Sequence, residues 1–222
     1  MNKLTLLPLA LSIMFAGCSV TADNGSAIAP NASPNSISTK HASPAHVSPS
    51  YDCNSSSLTS IETLICQDDE LATLDNQMSK VYRQAVIKAN NEYPPILKAE
   101  QRGWIKGRND CWKSDDKKLC VTGNYIRRIT ELQAKYRLVA HSKPILYTCD
   151  NTPANEVIVT YFETSPASLI AEYGDRVSFM TIQPSASGAK YQGQNEQLWE
   201  HNGEAMITWG FQSPEMKCKL AQ

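Results

Sequence analysis

Val157-Ile158-Val159-Thr160-Tyr161-Phe162 is the stretch of sequence that decides the fold. Val157, Val159 and Tyr161 alternate with Ile158, Thr160 and Phe162, the period of two that sends neighbouring side chains to opposite faces of a strand. Farther on, Val177, Phe179 and Thr181 repeat the alternation, and Ser187-Gly188 and Asn202-Gly203 punctuate the runs with turn residues. Roughly five to eight short strands in about 77 residues predict a small antiparallel barrel or sandwich. Cys149 near its start and Cys218 near its end are placed to close it. A cross-link around roughly 70 residues contributes on the order of 4 kcal/mol in the chain-entropy picture, which matters for so small a core.

Upstream of His141 the period changes. Thr59 and Glu62 have capping-box spacing beside the first apolar residues, Ile61, Leu64 and Ile65. Leu71, Leu74, Met78, Val81, Tyr82, Ala85 and Val86 then recur every three to four residues, which places them on one helix face. Pro94 and Pro95 break the pattern and open a further helix, whose inner face is expected to carry Leu97, Gln101, Trp104, Ile105 and Arg108. Tyr125, Ile129, Leu132 and Tyr136 mark a last one. The expected fold is α+β in two domains. Residues 51–140 form a small disulfide-tied helical bundle, and residues 145–222 form a small antiparallel β-barrel.

Residues 1–18 open with Met1, Asn2 and Lys3, run apolar from Leu4 to Phe15 and end at Ala16-Gly17-Cys18. About 12 apolar or small residues are too few to span roughly 30 Å of bilayer, and the charged amino end fits a cleaved signal peptide. Phe15-Ala16-Gly17-Cys18 resembles the lipobox of bacterial lipoproteins. That resemblance implies acylation of Cys18 and membrane attachment through the N-terminal lipid alone. Ser19, where that family's inner-membrane proteins carry aspartate, implies the outer membrane. Residues 19–50, rich in Ser, Ala, Asn and Pro, bury no core and read as a disordered tether.

Setting Cys18 aside leaves Cys53, Cys66, Cys111, Cys120, Cys149 and Cys218, an even set that suits disulfides in an oxidising compartment. The absence of any Cys-x-x-Cys argues against zinc and thioredoxin-like chemistry, and neither metal nor cofactor is expected. The formal net charge of −1 conceals an asymmetry. Residues 51–145 hold 15 Lys and Arg against 12 Asp and Glu, and residues 146–222 hold 4 against 9. An acidic β domain repels nucleic acid and attracts a cationic protein.

Four elements in order carry a resemblance: Tyr147-Thr148-Cys149, Ser185-Ala186-Ser187-Gly188-Ala189-Lys190-Tyr191, Trp199-Glu200-His201-Asn202-Gly203-Glu204-Ala205, and Cys218. Together they resemble the membrane-bound inhibitors of c-type lysozyme. The resemblance implies an eight-stranded antiparallel barrel and a c-type lysozyme as partner. Such a retaining glycosidase sets two carboxyl groups about 5 to 5.5 Å apart. A short hydroxyl on a projecting loop can enter that cleft and hydrogen-bond the carboxyl oxygens, where a bulky side chain cannot. The resemblance gives this role to Ser187, with Gly188 permitting the turn and Tyr191 supporting the loop. Taken alone, Ser187-Gly188 also reads as a tight turn and Tyr191 as a core aromatic. The family also places a lysine in Trp-x-Lys-Gly-x-Glu-Ala to meet the carboxylates. Here His201 and Asn202 replace the Lys-Gly pair. An imidazole is shorter and titrates near pH 6.5, so it donates a hydrogen bond but is fully charged only in mild acid. His201 also reads as a solvated turn histidine.

A second set comprises Cys53, Glu62-x-x-Ile65-Cys66, Leu71-x-x-Leu74-Asp75, Tyr82, Gln101-x-x-Trp104-x-x-x-Arg108-x-x-Cys111, Cys120 and Tyr125-x-x-Arg128-Ile129-x-x-Leu132. It resembles the N-terminal domain of LprI-like lysozyme inhibitors across roughly residues 53 to 137. The resemblance implies fold and partner class, without a site. Trp104 and Arg108, one turn apart, read either as a binding pair or as packing with Arg108 on an acid. The disulfides expected are Cys66 with Cys111, Cys53 with Cys120, and Cys149 with Cys218. The implied function is a lysozyme-inhibitor lipoprotein that blocks the active-site cleft and is not an enzyme. The alternative is a cell-surface adhesin or envelope scaffold binding host proteins, which Trp199 and Trp209 would also suit. A hydrolase is disfavoured, because only His201 lies near a candidate serine and no Gly-x-Ser-x-Gly elbow occurs.

Overall fold

The computed structural model describes residues 46–91 and 95–221, so the expected signal peptide, the expected acylation at Cys18 and most of the expected tether lie outside the described residues. Helix α1 (Ser60–Gln67) starts where its cap dictates. Thr59 Oγ1 accepts from the Glu62 N–H at 3.3 Å, and Glu62 Oε2 accepts from the Thr59 N–H at 2.8 Å. Asp68 ends α1 and caps α2 (Asp69–Lys88), accepting from the Glu70 and Leu71 N–H groups. After α3 (Leu97–Asn109), Asp116 caps α4 (Lys117–Lys135) by accepting from the Leu119 N–H at 2.8 Å. The apolar faces meet in one core built on Ile61, Ile65, Leu71, Met78, Val81, Tyr125, Ile129 and Leu132.

Three expectations are corrected in this half. Ile105, expected on the inner face of its helix, is exposed. The row that α3 turns inward holds Leu97, Gln101 and Arg108, with Ile105 at the edge of the stripe. The bundle disulfides join Cys53 with Cys66 and Cys111 with Cys120, not Cys66 with Cys111 and Cys53 with Cys120. The chain folds back at both places and brings near neighbours to Cα separations of 5.9 and 5.7 Å, within bridging range, so the bridges close local loops. Residues 46–50, read from composition as the end of the tether, run along α2. Val47 N–H donates to Asp69 Oδ1 at 3.0 Å, Asn76 Nδ2 to Ser48 O at 2.8 Å, and Ser50 N–H to Asp75 Oδ2 at 2.8 Å. Composition registers the lack of large apolar side chains but is blind to backbone groups that find partners on a neighbouring helix.

The deciding stretch becomes strand β2 (Glu156–Phe162), following β1 (Ile145–Cys149). The remaining strands are β3 (Ser168–Tyr173), β4 (Arg176–Gln183), β5 (Ala189–Gln192), β6 (Glu196–His201), β7 (Glu204–Trp209) and β8 (Glu215–Leu220). Each pairs antiparallel with the next, and β1 pairs β8, so the eight strands close into a barrel. Cys149 and Cys218 face each other in that closing pair and are bonded. Val157, Val159, Leu169, Met180, Leu198 and Ile207 fill the interior. Asn202 and Gly203, with φ of 53° and 79°, make the two-residue turn from β6 to β7, which requires positive φ at both positions.

On β2 the alternation is overridden at one end, where Thr160 and Phe162 are buried although they alternate with the interior set. The linker lies along the strand there. His141 bridges to Phe162, Ser142 N–H donates to Tyr161 O at 2.9 Å, and Glu163 N–H to Ala140 O at 2.9 Å. Helix α4 packs against β3 and β4, and buried Thr130 donates through Oγ1 to Ser165 O at 3.3 Å.

Candidate functional site

The connection from β4 to β5 spans residues 184–188, all exposed. Its shape is held through one carbonyl. Ser185 Oγ donates to Ser187 O at 2.6 Å, and the indole Nε1 of Trp199 donates to the same oxygen at 2.9 Å. The Ser187 hydroxyl makes no hydrogen bond among the described residues and points its donor and acceptor capacity to solvent. Gly188 sits at φ +66°, and a Cβ there would stand 2.1 Å from Glu200 O and 3.2 Å from the His201 Cβ. No side chain fits that approach, so this glycine is required twice, for its dihedral and for the contact with β6.

His201 ends β6 beside the same turn and is exposed. Its ring stacks on Trp199, with centroids 5.9 Å apart and planes 21° from parallel. Ser187, Trp199 and His201 therefore share one surface, although 12 residues separate the first two. No hydrogen bond joins Ser187 to His201 among the described residues.

Tyr191 is 7% exposed and belongs to the barrel core, which limits it to support from below. Its ring meets Tyr161 edge-on at 5.7 Å, and the Tyr161 hydroxyl donates to Glu200 Oε2 at 2.8 Å. Burial first, and the charge of Glu200 second, push the Tyr191 phenol up. Burial likewise raises Tyr161, with Tyr147 and Glu200 adding to it. Both phenols stay protonated in ordinary buffers, so the support under Glu200, and through it under Gly188, persists across that range.

Trp199 is the residue that sequence reasoning weighs only as a contact. Its place two positions before His201 is a usable signal, but the hydrogen bond to Ser187 O depends on the pairing of β5 with β6. Trp209, considered as a second exposed aromatic, is 6% exposed and packs with Tyr173 at 5.4 Å. In the bundle, Trp104 and Arg108 form a packed pair. Arg108 Nη1 donates to the Tyr125 hydroxyl at 2.7 Å, its guanidinium lies 5.5 Å over the Trp104 ring, and Trp104 Nε1 donates to Asn124 O at 3.2 Å.

A small closed barrel that presents an exposed serine turn beside a histidine is joined to a helical domain built of α1 to α4. Residues 147–216 match the family described as membrane-bound lysozyme-inhibitor of c-type lysozyme, and residues 52–141 match the family described as lysozyme inhibitor LprI. The chain is an LprI-family domain followed by an MliC-family domain. It is similar to the proteins named lipoprotein LprI of Mycobacterium bovis and Mycobacterium tuberculosis, 29% identical over 159 residues, covering 71% of this chain and 78% of each relative. Among the described residues no helix is long and apolar enough to cross a membrane.

Proposed function

We propose that this protein inhibits c-type lysozyme by seating the Ser187 turn in the enzyme's active-site cleft, as a binder and not as a catalyst. The observation that carries the reading is the Ser187 hydroxyl, free of internal partners on a turn whose carbonyl is pinned by Trp199 and whose next residue admits no Cβ. A serine offered this way is narrow enough to reach paired carboxyl groups about 5 to 5.5 Å apart, and its fixed backbone lowers the ordering cost of binding. His201, exposed alongside Gly188, supplies a second hydrogen-bonding side chain on the same surface. The acidic β half, 4 basic against 9 acidic residues, steers a cationic enzyme toward the turn. Acylated Cys18 would hold the protein on the outer membrane through lipid, with the segment after it as spacer.

Ser187→Ala is the first test. A hydrogen bond to a charged carboxylate contributes about 1.5–3 kcal/mol, so the variant binds lysozyme roughly ten- to a hundredfold more weakly while its melting temperature stays put. Unchanged inhibition by a folded Ser187→Ala protein overturns the seating of this turn. His201→Ala tests the second contact. A hydrogen bond across the interface contributes about 0.5–1.5 kcal/mol, so this variant binds lysozyme roughly two- to tenfold more weakly with its melting temperature unchanged. Equal affinity of the two proteins removes His201 from the interface.

A further inference from the structure

The helical bundle holds a solvent-open cavity of about 300 Å³ that the Ser187 turn does not touch. Tyr51, Tyr82 and Trp104, all half-buried, line it together with Glu62, Asp75 and Arg108. Two carboxylates against one guanidinium leave this lining one negative charge in excess, with no lysine or histidine among the residues around it.

Arg108 does not offer itself to an anion. Its Nε and Nη2 donate to Asn109 Oδ1 at 3.1 and 2.8 Å, Nη2 also donates to Glu62 Oε1 at 3.4 Å, and Nη1 donates to the Tyr125 hydroxyl at 2.7 Å. The remaining proton sits on Nη1, 3.7 Å from Asp75 Oδ1. Burial works to raise the Glu62 pKa, but the Thr59 hydrogen bonds and the Arg108 charge outweigh it, so this carboxyl is held below its usual range and stays ionised. Aromatic faces attract cations, and one lining ring already does so, the Arg108 guanidinium lying 5.5 Å from the Trp104 centroid. That leaves the Tyr51 and Tyr82 rings for a second cation. Tyr51 comes from the segment next to Ser50, whose backbone and hydroxyl are bound by Asp75, so the docked stretch before α1 completes the wall.

We propose that this cavity receives one cationic side chain, a lysine ammonium or an arginine guanidinium, from the basic protein that the barrel engages. The helical domain is then a second point of contact and not a spacer. The owner of the side chain rests on the inhibitor reading above; the preference of the cavity for a cation does not. Two weak contacts on one rigid partner multiply in affinity, which gives the fusion of the two domains a physical purpose.

The full chain, labelled with nitrogen-15, is titrated with Nα-acetyl-arginine methylamide. Parallel titrations use its neutral isostere Nα-acetyl-citrulline methylamide, Nα-acetyl-glutamate methylamide and N-acetylglucosamine. The arginine probe alone shifts the Ser79, Tyr82 and Gln101 resonances saturably. At the exposed edge of the cavity, Ile105→Glu tightens the arginine probe and Ile105→Lys weakens it, by roughly threefold each way. No shift at any probe concentration, equal shifts with citrulline, a preference for the sugar, or the same effect from both Ile105 variants overturns the proposal. Loss of lysozyme inhibition with cation binding intact overturns the inhibitor reading alone.

Discussion

At the scale of single residues, Trp199 has the most specific role, because its indole N–H holds the carbonyl of Ser187, the residue proposed to contact the partner. Trp199→Phe keeps a stacking ring for His201 and removes only that donor. With a net value of about 1 kcal/mol for such a bond, inhibition weakens roughly fivefold through a mobile Ser187, with little change in melting temperature. Inhibition titrations of the two proteins check it, and equal potency removes the clamp from the mechanism. The turn at Ser187-Gly188 was legible because a serine followed by a glycine marks a tight turn, and Gly188 does take positive φ there. The clamp was not, because it joins residues that only strand pairing brings together. His201 stands between these cases. Its place on the face that carries Trp199 was readable from their spacing of two on one strand, but the closeness of its ring to the Gly188 turn was not.

Among the elements, α1 and α2 show how caps written in the chain become stability against acid. Glu62 reciprocates the Thr59 cap, and Asp68 caps α2 while Lys118 Nζ lies 2.7 Å from it. The Lys118 hydrogen bond holds Asp68 below the usual carboxylate range, and Glu62 is lowered by its cap and by Arg108 against the opposing effect of burial. Folded-state values below the unfolded ones make stability present above the unfolded pKa, and it drains away as pH falls through the folded pKa. Helical circular dichroism under thermal melting therefore shows a falling melting temperature below about pH 4, with a shallower fall in Glu62→Gln. Identical acid limbs in the two proteins contradict this role. The Asp68 cap of α2 went unread, whereas the α1 cap was legible from Thr59 and Glu62 alone, a local code. The bundle disulfides were not, since the choice among six cysteines is made by how α3 folds back on α4 and how the chain turns into α1. The burial of Thr160 and Phe162 escaped for the same reason: the linker, which no alternation encodes, covers that end of β2.

In the molecule as a whole, two domain textures and a charge asymmetry were readable from the change of period near His141, whereas their docking was not. The linker bonds to β2 through backbone groups such as the Ser142 N–H, and the Thr130 hydroxyl donates to a backbone carbonyl, that of Ser165, so the acceptors are ones no residue type announces. That docking holds the bundle against the barrel that carries the Ser187 turn. Competition for the cleft tests the proposed mode of action most directly. The full chain is titrated calorimetrically into a c-type lysozyme, once with the cleft empty and once with it saturated by a chitin trisaccharide. Cleft occupation by the Ser187 turn requires tight binding to the empty enzyme and an apparent affinity that falls in proportion to saccharide saturation. A ternary complex with undiminished affinity, or no complex with the empty enzyme, contradicts it.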